Sequence, residues 1–310
     1  MALSSYKSNF VNVNGIRLHY LDWGGTDPVL LFLTGMGCSA YIFGDFAPRF
    51  VNQFHVLALD RRGHGDSEYP ETGYDQDTLT EDLRQYRDAL NIDQVILAGH
   101  SMGHIEICHF TALYPERVLK LIFLDAAYDN TSSENKAVFE KNPLPKIIPA
   151  WPETDLTTIE DHIATTKRLY PAMAVIWNPV MDQQTRHTLQ TTSDGTVIDK
   201  MSDGISKAIN DTFVSYVPEY SNIQVPVLSF FAIRDGFDYL SSDYMTEDQK
   251  VQVTDFFKTV LQPHQKKYIE HFQRNLPHAS VVEIPSGHHY CFLKQEQIVF
   301  EEMIKFLQEA

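Results

Sequence analysis

The sequence predicts an α/β fold with a mostly parallel central sheet flanked by helices. Three observations predict it. Continuous apolar runs recur through the first half of the chain, helical stretches separate them, and the pattern returns near the C-terminus after a long interruption. Strands that alternate with helices need crossover connections, which set neighbouring strands parallel.

Each element has its own signal. Phe10 to Val13, Asn14-Gly15 and Ile16 to Trp23 read as a hairpin, because Asn-Gly favours the tight turn between antiparallel strands. Val29 to Leu33, Val56 to Leu59, Val95 to Ala98 and Leu121 to Leu124 are apolar on both faces, as buried central strands are. Asp77 to Leu90 carries Leu79, Leu83, Tyr86 and Leu90 at helical spacing, and Met102 to Leu113 reads as a buried helix. From Tyr128 to about Asn222 the pattern breaks into Pro-punctuated helical signals without a convincing strand, and includes Trp151, Tyr170, Met173, Trp177 and Met181. The sheet pattern resumes at Val225 to Phe231 and closes with a strand at Ser280 to Ile284 and a helix at Gln295 to Leu307. Thr246 to Asn275 reads as one or two further amphipathic helices. The expected organisation is a core of residues 1–127 and 223–310, with a helical cap inserted at 128–222.

Composition narrows the function. A chain of 310 residues with 43% hydrophobic content buries a sizeable core. A formal net charge of −16 repels a phosphate backbone, and the only basic clusters are pairs such as Arg61-Arg62 and Lys266-Lys267, so no nucleic-acid partner is expected. The three cysteines, Cys38, Cys108 and Cys291, make no disulfide framework and suit a reducing compartment. Met1 to Phe10 shows no secretory h-region and no run reaches a membrane span, so a cytoplasmic location is expected. The expected partner is a small-molecule substrate, and a homodimer is compatible with this reading.

The chemistry centres on Gly99-His100-Ser101-Met102-Gly103. The pentapeptide alone is weak, but it follows a buried strand and precedes a helix, which is what a nucleophile elbow requires. Its plain alternative is a strand-to-helix turn with a capping serine. A serine hydroxyl needs a base within hydrogen-bond reach and an acid to orient that base. On folds with such an elbow the chain order is Ser, then Asp or Glu, then His. The base candidate is His288, in Ile284-Pro285-Ser286-Gly287-His288 after the last strand, and adjacent His289 is its competitor. The acid candidate is Asp235, just past the strand that ends at Ile233, with Asp238 and Asp125 as alternatives. As a turn aspartate before Gly236, Asp235 also has an ordinary structural reading. The oxyanion of an acyl-transfer intermediate needs backbone donors, each worth a factor of about a hundred to a thousand in rate. The expected donors are the N–H groups of Met102 and of Met36, in Thr34-Gly35-Met36-Gly37. Gly35, His100 and Trp177 are the expected substrate contacts. No Gly-Lys-Ser/Thr, third fingerprint glycine or His-Glu-x-x-His is present, so no nucleotide, metal or organic cofactor is expected.

These residues resemble the α/β-hydrolase superfamily, in the branch with a helical cap. Asp60-Arg61-Arg62-Gly63-His64-Gly65-Asp66-Ser67 resembles its D-x-R-G-x-G-x-S loop, and Pro226-Val227-Leu228 stands nine residues before Asp235. The resemblance runs from about residue 10 to 305 and implies the α/β-hydrolase fold. It departs at Thr34, where His is usual, and in the long segment between Asp235 and His288. The related haloalkane dehalogenases and epoxide hydrolases carry aspartate at the elbow, which Ser101 does not match, and the His-Gly-Gly-Pro-Gly motif of proline iminopeptidases is absent. The resemblance implies a serine esterase acting on a small apolar or aromatic ester through an acyl-enzyme. Its alternatives are a C–C bond hydrolase of diketones, a lactonase or amidase, and a ligand receptor on a hydrolase scaffold.

Overall fold

A computed structural model describes residues 5–127, 131–152 and 158–309. Ten strands and twelve α-helices follow in chain order: β1 (Lys7–Val13), β2 (Ile16–Gly24), β3 (Val29–Leu33), β4 (His55–Leu59), α1 (Gln76–Ala89), β5 (Val95–His100), α2 (His104–Leu113), β6 (Val118–Leu124), α3 (Ser133–Lys141), α4 (Leu144–Ile147), α5 (Ile159–Leu169), α6 (Pro171–Ala174), α7 (Pro179–Thr188), β7 (Leu189–Thr191), β8 (Val197–Asp199), α8 (Asp203–Ser215), β9 (Val227–Ile233), α9 (Glu247–Phe256), α10 (Gln262–Asn275), β10 (Ser280–Pro285), α11 (Cys291–Lys294) and α12 (Glu296–Gln308). Eight strands form one sheet in the order β1-β2-β4-β3-β5-β6-β9-β10. From β4 to β10 the neighbours are parallel, while β1–β2 and β2–β4 are antiparallel.

Local chemistry explains these elements. Asn14 and Gly15 take positive φ and close the β1–β2 hairpin with the register Val13 to Ile16. β3 and β5 are buried throughout, because helices cover both faces of the parallel sheet. One face packs on α1 and α2 through Leu83, Tyr86, Ile105 and Phe110. The other, through Phe32 of β3, packs on Phe43, Phe46, Phe50 and Phe292, each fully buried and each worth roughly 1.5–3 kcal/mol.

The long interruption lies between β6 and β9. The expected boundary at Tyr128 lies outside the described residues. Helices α3 to α8 dominate the segment, but β7 and β8 form a small antiparallel hairpin that the sequence reading did not anticipate. Its strands are three residues each, too short to show a period. The stretch after β9 is α9 and α10, joined by a π-helical turn at Phe257–Leu261.

The D-x-R-G-x-G-x-S loop locks β4 to its surroundings. The Asp60 carboxylate accepts from His19 Nδ1 at 2.6 Å, from the Asp66 N–H at 2.9 Å and from the Ala40 N–H. Gly65 has φ +54, and a Cβ there would lie 2.2 Å from that carboxylate. Gly65→Ala is therefore expected to lower stability by more than about 2 kcal/mol, through a strained φ and displacement of a buried charge. Urea unfolding of the purified variant checks this; an unchanged midpoint would refute it.

Candidate active site

The parallel pairing of β5 and β6 places two special residues side by side. His100 pairs with Leu124, so Ser101 and Asp125 each stand one residue beyond the last pair. Both have left-handed backbone, φ 49 for Ser101 and φ 45 for Asp125, which non-glycine residues adopt at a cost. The glycines around Ser101 permit the sharp turn. A Cβ on Gly99 would lie 2.6 Å from Ile107 Cδ1, and one on Gly103 would lie 2.9 Å from the Thr34 carbonyl oxygen. Gly35 admits the neighbouring loop, since its Cβ would come 2.9 Å from Ser101 Cβ.

The carboxylate beside Ser101 is Asp125, fully buried. It accepts from His289 Nδ1 at 2.6 Å through Oδ2 and from the Ala232 N–H at 2.9 Å through Oδ1. Arg234 Nη2 stands 4.0 Å away. Because a carboxylate accepts only, Nδ1 of His289 carries the proton and a neutral ring keeps its lone pair on Nε2. Ser101 Oγ makes no hydrogen bond among the described residues.

The pairing of Asp235 with His288 expected from the sequence does not form. His288 Nδ1 accepts from the Tyr290 N–H at 3.0 Å, so Nε2 carries the proton and donates to the Ala172 carbonyl at 2.8 Å. Both ring nitrogens are thereby committed, and the ring points to α6 in the inserted segment. Asp235 turns back on its own loop, accepting from the Phe237 N–H at 3.0 Å as an Asx turn. Asp238 pairs with Lys294.

The other expected residues have definite places. Met36 and Met102 follow β3 and β5, which are adjacent parallel strands, so both N–H groups lie at the sheet edge that carries Ser101. Met36 and Gly37 border a cavity of about 260 Å³, whose far wall is Thr188, Asp199 and Met201 of the inserted segment. Gly35 is buried, and its role is close approach rather than a lining surface. His100 is also buried: its Nε2 donates to the His289 carbonyl at 3.1 Å, and its ring packs on Tyr290 and Phe292. It braces the loop that holds His289 and is not exposed to a ligand. Trp177 packs on the phenylalanine core and under Lys167 Nζ at 5.3 Å.

Thr34, where a histidine is usual, is buried and its hydroxyl has no partner. The loop takes its support elsewhere. Gln184 of α7 accepts from the Ser39 N–H at 2.9 Å, and Asp60 holds Ala40. Below the elbow, Arg61 makes a buried two-pronged pair with Glu106 at 3.0 and 2.8 Å and reaches His64 Nε2 at 3.1 Å. Glu106 lies on α2, so this pair fixes the helix after the elbow to the β4 exit loop. Neither adjacency in sequence nor motif spacing signals such a long-range pair.

Burial disfavours the charged form of His64, His100, His104 and His288. It pushes His104 and His288 down to about 4, and takes His64 and His100 well below the usual range. Unfolded histidines protonate near 6.5, so the unfolded chain binds more protons as pH falls from about 6.5 towards 4, and stability falls with it. Glu106, raised to about 7 by burial, opposes this between about 4.5 and 7, one group against four. The urea midpoint is accordingly expected to drop between pH 7 and pH 5; a midpoint that holds or rises would contradict the burial of these rings.

Comparison with known proteins agrees with the topology. A family model described as alpha/beta hydrolase fold matches residues 28–224. Soluble epoxide hydrolase of Corynebacterium sp. (strain C12) is 37% identical over 113 residues, 36% of this chain and 39% of that protein. 2-(Acetamidomethylene)succinate hydrolase of Mesorhizobium japonicum is 30% identical over 125 residues, 40% of this chain and 45% of that one. The alignments thus span less than half of these curated relatives. Among solved structures, E-2-(acetamidomethylene)succinate hydrolase superposes with a TM-score of 0.75 at 21% identity, over 98% of this chain and 100% of that one. A marine microorganism esterase gives 0.64 at 24% identity, over 93% and 98%. With an eight-stranded, mostly parallel sheet and a family match over more than half its length, the chain belongs to the α/β-hydrolase fold family.

Proposed function

We propose that the protein is a serine hydrolase that cleaves carboxylic esters of small apolar or aromatic substrates through an acyl-enzyme. The observation that carries this reading is the adjacency of Ser101, on a strained elbow, to buried Asp125 and the half-buried His289 bonded to it. Ser101 Oγ attacks the acyl carbon while His289 Nε2 takes its proton. Asp125 keeps the imidazole in the tautomer that leaves Nε2 free and stabilises the imidazolium that forms. The N–H groups of Met36 and Met102 receive the oxyanion. His289 then returns the proton to the leaving alkoxide, and water repeats the sequence to release the acid. No metal or organic cofactor is required for these steps.

Ser101 distinguishes this reading from the epoxide hydrolase chemistry named for some relatives, since a hydroxyl in place of the family's elbow carboxylate forms an acyl ester rather than an alkyl ester. The segment 128–222 acts as a cap over the site. The cavity between Met36 and that cap supports the substrate class. Tyr69 and Met201 give it apolar surface, while Asp199 and Asp203 face it with no Lys or Arg among its lining residues. Tyr69 and Met201 beside Met36 favour an ester with a small apolar or aromatic acyl group.

A fluorophosphonate probe is expected to label Ser101 and to fail on Ser101→Ala; labelling that survives that change would remove the central assignment. On p-nitrophenyl butyrate, His289→Ala and Asp125→Asn are each expected to lower kcat by about a thousandfold or more. Asp235→Asn is expected to stay within about threefold, because its carboxylate serves only its own turn. Strong loss with Asp235→Asn and none with Asp125→Asn would reverse the assignment of the acid.

A further inference from the structure

β6 leaves the sheet at Leu124, whereas its neighbour β9 continues to Ile233. The last β6–β9 pair is Leu124 with Phe230, so the edge of β9 beyond it loses its strand partner. The backbone groups on that side are the Ala232 N–H and carbonyl and the Arg234 N–H. Ala232 is buried and Arg234 half-buried, and a backbone group shielded from water without a partner is costly. Two side chains replace the missing strand. Asp125 Oδ1 accepts from the Ala232 N–H at 2.9 Å. Gln265 takes the other two: its Nε2 donates to the Ala232 carbonyl at 2.8 Å, and its Oε1 accepts from the Arg234 N–H at 3.2 Å. Gln265 is itself buried, at 4% exposure.

The opposite edge of the same residues holds the loop that carries His289. Ile233 pairs with Pro285, and its carbonyl accepts from the Gly287 N–H at 3.1 Å. Gly287 passes so close that a Cβ would lie 2.7 Å from Ala232 Cα. Residues 232–234 therefore set the position of Asp125 on one side and of the His289 loop on the other. The helical segment after β9 grips them from above at two more points. Gln262 Nε2 donates to the Arg234 carbonyl at 3.2 Å. Phe257, in the π-helical turn, lies against Gly236, where a Cβ would come 2.5 Å from its ring. π-Turns inside helices commonly mark functional constraints.

We propose that Gln265 is a positioning residue for the reaction, fixing the Asp125–His289 pair through the backbone of Ala232 and Arg234. The long segment between β9 and β10 thus has a function: it delivers one buried amide to the ladder edge that β6 vacates. This rests on the assignment of Asp125 and His289 given above. Gln265 touches neither substrate nor reacting atoms. Its loss acts through geometry, and a displacement of about 1 Å at a reacting group can cost about a hundredfold in rate.

The test uses the full chain with p-nitrophenyl butyrate and a second readout that needs no turnover, the downfield proton resonance of His289 Nδ1–H bonded to Asp125. Gln265→Met, of similar volume but without either hydrogen bond, is expected to lower kcat by about ten- to a hundredfold, leave KM within about threefold and shift or broaden that resonance. Gln265→Glu serves where Gln265→Met does not fold. It keeps the acceptor for Arg234, loses the donor to Ala232, and is expected to fall between Gln265→Met and the parent in both readouts. A folded variant with unchanged kcat and an unmoved resonance overturns the proposal. Should Ser101→Ala retain full activity, the hydrolase reading falls. The resonance in Gln265→Met still decides whether Gln265 fixes the pair.

Discussion

The site depends on one carboxylate kept in an expensive position. Asp125 is fully buried and has left-handed backbone, and each condition costs free energy. A buried carboxylate survives as an anion only when it is paired and hydrogen-bonded. Here His289, the Ala232 N–H and the nearby Arg234 guanidinium supply those partners. The positive φ, worth about 1–3 kcal/mol of strain, turns the chain out of β6 so that the side chain takes the place of the next residue along the strand. Ser101 makes the same kind of turn on the adjacent strand. Two strained residues one strand apart thus define the working edge of the sheet, and the packed helices on both faces hold them there.

The electrostatic setting follows from burial more than from paired charge. His100 and His104 flank Ser101 in sequence, and burial keeps both neutral. Their ring protons are spent on backbone carbonyls, His100 on His289 and His104 on Ser101 itself. They therefore stiffen the elbow and the histidine loop without adding charge that would compete with an imidazolium at His289. Arg61 pairs with Glu106 below the elbow and also reaches His64. Removing Glu106 would leave the Arg61 guanidinium as an uncompensated buried charge, at a cost of about 3–5 kcal/mol.

Much of the fold was legible. The apolar runs of β3, β4, β5 and β6 are buried on both faces and bounded by turns, which periodicity reads well. The elbow was legible because strand, glycines and helix coincide around Ser101. The hairpin β7–β8 was not, since three-residue strands carry no period. The proposed partners of Ser101 were legible only as alternatives. His288 and His289 are adjacent, and the choice between them is a matter of ring direction, set by the Tyr290 N–H and by a carbonyl 116 residues away at Ala172. Likewise Asp125 and Asp235 each follow a strand, and only the early exit of β6 with its left-handed turn brings one of them to His289. Gln265 gave no signal, because its partners are main-chain groups about thirty residues away.

The hydrogen bond from His288 to Ala172 has a mechanical consequence. Consecutive Cα atoms are about 3.8 Å apart, so the tether of helix α6 is rooted one peptide unit from His289. Any motion that lifts α6 from the core must first break that bond or drag on its root. Helix α6 and the loop that carries the His289 imidazole are therefore strung on the same short length of chain.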